Sequence, residues 1–353
     1  MLHEARWWEQ ADGGKLRCTL CPRDCRIGEG QAGFCFVRRN EGGRLVSLAY
    51  GRSTGFAVDP IEKKPLAHFY PGTTVLSFGT AGCNLGCRFC QNWSISKAKL
   101  AERASGLYTA REVVDLAIEE GAPSVAFTYN DPVIWAEWGL DVAREARSRG
   151  VKTVFVTAGF VGERAREEIF PWMDATNVDL KGFTEDFYRR VTLSHLAPVL
   201  ETLEWLARSN TWTEVTTLLI PGLNDGDAEV RALSEWVGGH MGPDTPLHFT
   251  AFHPDFAMRD RPPTPPATLL RARTIAREVG LRHVYTGNVH DPASQTTFCP
   301  GCGAKVIERD WHAILACRME GDRCAACGER IVGRFAARAA SPTPGRRRSI
   351  GIV

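Results

Sequence analysis

Between residues 73 and 290 short apolar segments alternate with longer segments of helical period, and this alternation constrains the fold more than any other feature of the chain. The segments 74–78 (TVLSF), 124–128 (SVAFT), 153–157, 176–180, 213–219 (TEVTTLL), 246–251 and 283–286 read as buried strands. Between them, 109–120, 132–149, 163–170, 196–208, 227–237 and 265–279 read as helices. Thr109 with Glu112 three residues later forms a capping box, and Gly121 stops that helix. Pro132 opens the next helix and Gly150 follows its end. Strands that alternate with helices predict an α/β fold, with a parallel sheet and helices outside it. Six or so repeats suit a partial (β/α)6 barrel of the TIM type, whose chemistry gathers at the C-terminal ends of the strands.

The loop after the first of these strands holds Cys83-Asn84-Leu85-Gly86-Cys87-Arg88-Phe89-Cys90. Three thiolates at C-x3-C-x2-C spacing cannot close a four-coordinate structural zinc site. They can hold three corners of a [4Fe–4S] cube and leave the fourth iron open to a small molecule. A structural zinc loop is the plain alternative, and the missing fourth ligand speaks against it.

The chain has twelve cysteines, and the other nine fall into two flanking sets. Cys18, Cys21, Cys25 and Cys35 lie in residues 1–72, ahead of the barrel segment 73–290. Cys299, Cys302, Cys317, Cys324 and Cys327 lie in residues 291–335. Close C-x2-C pairs in a reducing compartment point to metal rather than disulfides. Cys299/Cys302 and Cys324/Cys327 form two knuckles at the spacing of a zinc ribbon, and Cys317 is left over as a small buried hydrophobe. The four N-terminal cysteines suit zinc or a second iron–sulfur cluster, because sulfur-only ligation does not separate the two. Each flank reads as a metal-stapled appendage. Residues 336–353, with Arg346-Arg347-Arg348 among Ser, Pro and Gly, read as a disordered tail.

The formal net charge of +2 gives no electrostatic argument for nucleic acid. The N-terminus lacks a basic start followed by an apolar core, and no apolar run approaches the length of a membrane span. The expectation is a cytoplasmic protein without a membrane partner.

Eight stretches together carry a resemblance: CPRDCRIGEGQAGFCFVRRN, FGTAGCNLGCRFCQNW, FTYNDP, DLKGF, LLIPGLND, HFTAFHPD, YTGNVHD and the terminal CPGCG…CAACG. From about Gly72 to Gly287 the chain resembles the radical S-adenosylmethionine (SAM) enzymes related to pyruvate formate-lyase activating enzymes. With its ends included, it is similar to the radical SAM member of the AmmeMemoRadiSam system. The resemblance implies a radical SAM barrel in which Cys83, Cys87 and Cys90 bind the [4Fe–4S] cluster. SAM would chelate the open iron, and its reductive cleavage would release a 5′-deoxyadenosyl radical that abstracts hydrogen from an unknown substrate, a protein or peptide among the options. By the same resemblance Asn130, Asp131, Thr157, Asp179, Lys181 and Asn224 would line the SAM pocket. Tyr129, His253 and His290 are weaker candidates for touching substrate. The implied partners are a reductant such as flavodoxin or ferredoxin, and Memo-like and AMMECR-like proteins.

Two other functions stand beside this one. A glycyl-radical-enzyme activating enzyme would take hydrogen from a backbone glycine of a large partner. A non-catalytic, metal-stabilised module binding nucleic acid or protein would show no SAM turnover.

Overall fold

The computed structural model describes residues 2–99, 105–336 and 347–350. A nine-stranded sheet runs through its centre. In chain order the strands are β1 (Phe56–Pro60), β2 (Thr74–Phe78), β3 (Ser124–Phe127), β4 (Lys152–Thr157), β5 (Ala175–Asp179), β6 (Trp212–Leu219), β7 (Leu247–Ala251), β8 (Val284–Gly287) and β9 (Arg348–Ile350). They lie side by side in the order β8-β7-β6-β5-β4-β3-β2-β1-β9. Every neighbouring pair from β2 to β8 is parallel, while β1 and β9 run antiparallel at one edge. The helices between the parallel strands are α1 (Ala110–Glu119), α2 (Ala136–Ser148), α3 (Glu163–Ile169), α4 (Ala197–Ala207), α5 (Asp227–Met241) and α6 (Pro266–Glu278).

The alternation expected from sequence is present, and local chemistry explains its punctuation. The Thr109 hydroxyl accepts from Glu112 N while Glu112 reaches back to Thr109 N, so both halves of the capping box form. α1 then buries Val113, Val114 and Ala117 against the sheet. The segment expected as one helix from residue 132 begins instead as a 3-10 turn, Pro132–Trp135, and becomes α-helical at Ala136. β3 is buried along its whole length, as a strand covered on both faces must be. Because strands β2 to β8 follow chain order and share one direction, their C-terminal ends line up along one side of the sheet.

The flanks are folded β structure. Trp8–Ala11, Lys15–Cys18 and Arg26–Ile27 form one small sheet, and His3–Glu4, Arg44–Ser47 and Arg38–Glu41 form another. Arg38 docks them on α2. Its Nη1 donates to Glu137 at 2.8 and 3.1 Å, Arg6 N donates to the same carboxylate at 2.8 Å, and both side chains of the ion pair are 2% exposed. At the other end Thr297–Phe298, Lys305–Asp310 and Ala313–Cys317 form a three-stranded sheet. It joins the central sheet through a buried network. His68 Nε2 pairs with the Tyr285 hydroxyl at 2.7 Å, and that hydroxyl meets Thr297 Oγ1 at 2.8 Å. Arg309 Nη2 donates to Ala67 O at 2.7 Å.

One expectation is corrected. Arg348–Ile350, placed in a disordered tail from its composition, is a strand paired with β1. Residues 337–346 and 351–353 of that segment lie outside the described residues. No helix among the described residues is long and apolar enough to cross a membrane.

The network beside His68 makes a pH prediction. Burial pushes the His283 imidazole down to about 4, against the pull of Asp244. The unfolded chain therefore binds a proton below about pH 6.5 that the native chain refuses until about pH 4. Stability should fall as pH drops through that window, with His283 contributing up to about 3 kcal/mol. Urea midpoints measured from pH 7 to 4 should show a shallower decline for His283→Gln than for the parent. Equal slopes would remove His283 from the account.

Candidate active site

A cavity of about 320 Å³ opens at the C-terminal ends of the parallel strands. The loop after β2 supplies one wall, with Cys83, Cys87 and Cys90 all facing the cavity. The loop is gripped from several sides. Gly86 N donates to Thr192 O and Arg88 N to Val191 O, both at 2.9 Å, which fastens it to the π-helical turn Tyr188–Thr192. Asn84 is fully buried and donates to Phe160 O at 2.9 Å. Gly82 has φ +89°, and a Cβ there would collide with the Cys35 carbonyl. Glycine is thus required where the N-terminal cysteine segment crosses this loop. Burial pushes the Cys83 and Cys87 thiols up, Cys87 to about 12, with Lys181 pulling the other way at Cys87.

The structure sorts the residues expected around SAM into two groups. Asn130, Asp131, Thr157, Asp179 and Lys181 all line the cavity with the three cysteines. Asn224 does not line it. Its amide donates to Lys181 O at 2.8 Å and Leu218 O at 2.9 Å, and its Oδ1 accepts from Ile220 N at 2.7 Å. Asn224 ties the loop after β6 to the end of β5, with every hydrogen-bonding group used internally.

Asp131 is also heavily committed. One oxygen accepts from Val133 N at 3.1 Å and Thr157 Oγ1 at 2.9 Å, and the other from Ala158 N at 2.9 Å. It caps the turn Pro132–Trp135 and pins the end of β4, so binding a ligand amine is at most a second task for it. Burial pushes its carboxyl above the ordinary range, against those three donors. Asn130 donates to Gly82 O at 2.8 Å and accepts from Thr80 N at 3.3 Å, bracing the strand-to-loop turn.

Asp179 and Lys181 form an ion pair at 3.2 Å, and Lys181 is 16% exposed. Burial works against the Lys181 ammonium, but Asp179 and then Cys87 outweigh it and hold its pKa above the usual lysine value. This is a charged pair on the cavity wall, with one group of each sign.

Thr216 was not singled out from sequence. Its buried hydroxyl has no partner and it lines the cavity. The signal lay in β6, where Glu214, Thr216 and Leu218 alternate onto one face by the two-residue period. Ser96, Thr250 and Asn288 line the cavity as well. Among the weaker candidates, Tyr129 lines the cavity. His253 does not, and His290 pairs with Asp310 at 2.9 Å on the surface.

Two further cysteine sets differ in geometry. The sulfurs of Cys299, Cys302, Cys324 and Cys327 all lie within 4.8 Å of one another, with Cys299–Cys327 at 3.6 Å and Cys302–Cys324 at 3.8 Å. Zinc–sulfur bonds of about 2.3 Å at tetrahedral angles put the sulfurs ~3.8 Å apart, so these four fit a zinc ion. Among the described residues this is the set of three or more Cys, His or acidic side chains that meets such spacing. Cys18, Cys21, Cys25 and Cys35 face one narrow cavity of about 10 Å³ and are spaced more widely. Arg23 lies beside them and bonds the carbonyls of Asn84 and Leu193, joining this segment to the loop of Cys83.

Removing the Asp131 carboxylate would strand buried donors and a turn cap. Asp131→Ala should lower unfolding free energy by roughly 2–3 kcal/mol, read from the urea midpoint. A loss under ~0.5 kcal/mol would show that these loops do not rely on it.

Comparison with known proteins places this arrangement. Residues 78–233 match the model of the radical SAM superfamily. The chain is 42% identical over 332 residues to an uncharacterized protein of Methanocaldococcus jannaschii, an alignment spanning 94% of this chain and 99% of that one. It is 23% identical over 262 residues to the benzylsuccinate synthase activating enzyme of Thauera aromatica, spanning 72% of this chain and 78% of that one. A pyruvate formate-lyase 1-activating enzyme of Escherichia coli is 22% identical over 170 residues, spanning 47% of this chain and 69% of the enzyme. Among solved structures, a radical SAM methyltransferase from Sphaerobacter thermophilus superposes with a TM-score of 0.50 at 17% identity, over 82% of this chain and 78% of that one. That likeness is one of fold.

Proposed function

The chain belongs to the radical SAM superfamily, and on that premise we propose that it cleaves SAM reductively and takes a hydrogen atom from a bound substrate. The observation that carries the reading is the loop of Cys83, Cys87 and Cys90, set on the wall of a 320 Å³ cavity at the C-terminal strand ends. Three thiols, with no fourth ligand beside them among the described residues, suit a [4Fe–4S] cluster with one open iron, which would supply the electron that breaks the sulfonium bond and frees a 5′-deoxyadenosyl radical. The chain's own residues then hold and orient. Lys181 meets the SAM carboxylate and Asp179 its ammonium, while the Thr216 hydroxyl offers a hydrogen bond deeper in the cavity. Asn130 and Asp131 keep the loops after β2, β3 and β4 in register. The buried walls exclude water from the reacting atoms.

The same reading includes a sheet curled as a partial (β/α)6 barrel, supported by parallel strands in sequential order. It includes membership of the AmmeMemoRadiSam group, supported by motifs spread over nearly the whole length, with Memo-like and AMMECR-like proteins as partners and a flavodoxin or ferredoxin as reductant. A second reading, activation of a glycyl-radical enzyme, draws support from two relatives that are activating enzymes. It requires a large partner presenting a backbone glycine.

For the flanks, the ribbon cysteines hold zinc in this proposal, and Cys18, Cys21, Cys25 and Cys35 close on a second zinc.

Anaerobic reconstitution with iron and sulfide, followed by dithionite and SAM, should yield 5′-deoxyadenosine. Cys87→Ala should reduce the yield at least about a hundredfold, roughly 2.7 kcal/mol or more in barrier terms. An intact cluster that leaves SAM untouched would refute the enzyme reading. Metal analysis of a variant lacking Cys83, Cys87 and Cys90 should find about two zinc per chain and no iron. Iron retained in that variant would instead put an iron–sulfur cluster at the N-terminal cysteines.

A further inference from the structure

A second cavity, of about 370 Å³, shares a wall with the first. Thr128, Tyr129, Thr250 and Asn288 border both. Tyr129 and Asn288 stand in this wall with φ of +73° and +60°, a backbone region that residues other than glycine rarely adopt. Such strain collects where a fold over-determines a functional surface. The far side of the cavity is built from the turn Ile61–Lys63 and its neighbours, from Arg309 to His312, and from Arg347.

Its charge is unbalanced. Lys63, Lys64 and Arg347 all converge on one carboxylate, Asp59, at 3.2, 2.7 and 3.6 Å. Tyr129 donates its hydroxyl to that same carboxylate at 3.1 Å. Arg309 is 2% exposed. Its Nη1 and Nη2 donate to neutral oxygens of Gln295, Thr297 and Ala67, and its Nε has no hydrogen-bond partner. The nearest acid, Glu62, is 4.0 Å away and keeps one buried oxygen unpartnered. Burial pushes Glu62 up to about 7 against the pull of Arg309, and Lys64 down to about 8 against the pull of Asp59. Glu214 pairs with His248 Nε2 at 2.7 Å and accepts from Ala67 N, His68 N and Trp212 Nε1. Lys63, Lys64 and Arg347 thus share the one carboxylate of Asp59, and Arg309 has Glu62 only at 4.0 Å. Of the four, Lys64 and Arg309 are buried, and a buried cation short of counter-charge is costly unless something else supplies it.

We propose that this second cavity is the substrate site and that it takes a small molecule bearing a carboxylate or phosphate group. The proposal rests on the reading of the first cavity as the SAM site. The volume is that of a small-molecule pocket. An anionic group would meet the buried guanidinium of Arg309 and the ammonium groups of Lys63 and Lys64 by charge-assisted hydrogen bonds. Tyr285 and Trp311 offer apolar faces to the rest of the ligand. The hydrogen to be removed then points back across the Thr128–Tyr129 wall toward the first cavity. The cleaved adenosyl group takes that hydrogen as 5′-deoxyadenosine, and the substrate is left as the carbon radical, so atoms and electrons balance.

Calorimetric titration of the reconstituted, SAM-loaded holoenzyme tests this, with inorganic pyrophosphate and glutarate as anionic probes and glutaramide as a neutral isostere. At least one anion should bind saturably, and glutaramide about tenfold more weakly or worse. Lys63→Ala and Arg309→Lys should each weaken the anion about tenfold or more. Lys63 is 33% exposed along its side chain, so Lys63→Ala carries the test if Arg309→Lys does not fold. The proposal is overturned if neither anion binds or if glutaramide binds as well. It is equally overturned if both variants bind like the parent, or if excess SAM competes the anion away. Assay of 5′-deoxyadenosine on the same sample separates the two claims. SAM cleavage without anion binding sinks the substrate class alone, and anion binding without SAM cleavage sinks the reaction alone.

Discussion

Everything at the C-terminal edge of the sheet depends on how Asn130 and Asp131 are held at the end of β3. Asn130 reaches sideways to the turn that follows β2, and Asp131 reaches the other way to the end of β4. Three neighbouring loops are thereby locked by two adjacent side chains. Each contact is a buried polar bond whose loss would leave a donor or acceptor unsatisfied. A cavity wall needs such rigidity, because a side chain aimed at a ligand is only as well placed as the backbone beneath it.

The loop of Cys83, Cys87 and Cys90 is held from the outside as well. The π-helical turn after β5 grips it through two backbone bonds, and Arg23 and the Cys35 carbonyl press on it from the N-terminal segment. The N-terminal cysteine set therefore belongs to the mounting of this loop. If a metal orders residues 18–35, it also fixes the surface against which the loop rests. The strand that follows, Arg38–Glu41, is in turn anchored to α2 by the buried Arg38–Glu137 pair.

Much of the fold was legible because strands covered on both faces write themselves as apolar runs, and each parallel strand lies within one residue of its expected bounds. The capping box at Thr109 and the C-x3-C-x2-C loop were equally local signals. Other roles rest on contacts that residue type and spacing do not encode. Asn224 was expected at the SAM pocket from the family resemblance, but its side chain bonds Ile220, Leu218 and Lys181. Asp131 carries the turn-capping role that its Pro neighbour suggested, and adds a bond to Ala158 that no spacing encodes. Thr216 sat in an apolar strand where only the period-two face marks it. Arg348–Ile350 had the composition of a tail, yet the open edge of β1 gave its backbone a ladder to join.

The C-terminal cysteines connect to the chemistry through one strand. Cys299, Cys302, Cys324 and Cys327 are close enough to share a single ion, and the chain between the two knuckles includes Lys305–Asp310. Arg309 lies in that strand, and Trp311 and His312 follow it into the wall of the second cavity. An ordinary structural zinc would hold such a small sheet together, since little apolar core is available to do so. The consequence reaches further than folding. Arg309 is seated by Gln295 and Thr297 within its own unit and by Ala67 O, which precedes β2, so the last of these bonds forms only when the small sheet is docked. A metal bound by these four cysteines would therefore order the strand that carries Arg309 to the cavity.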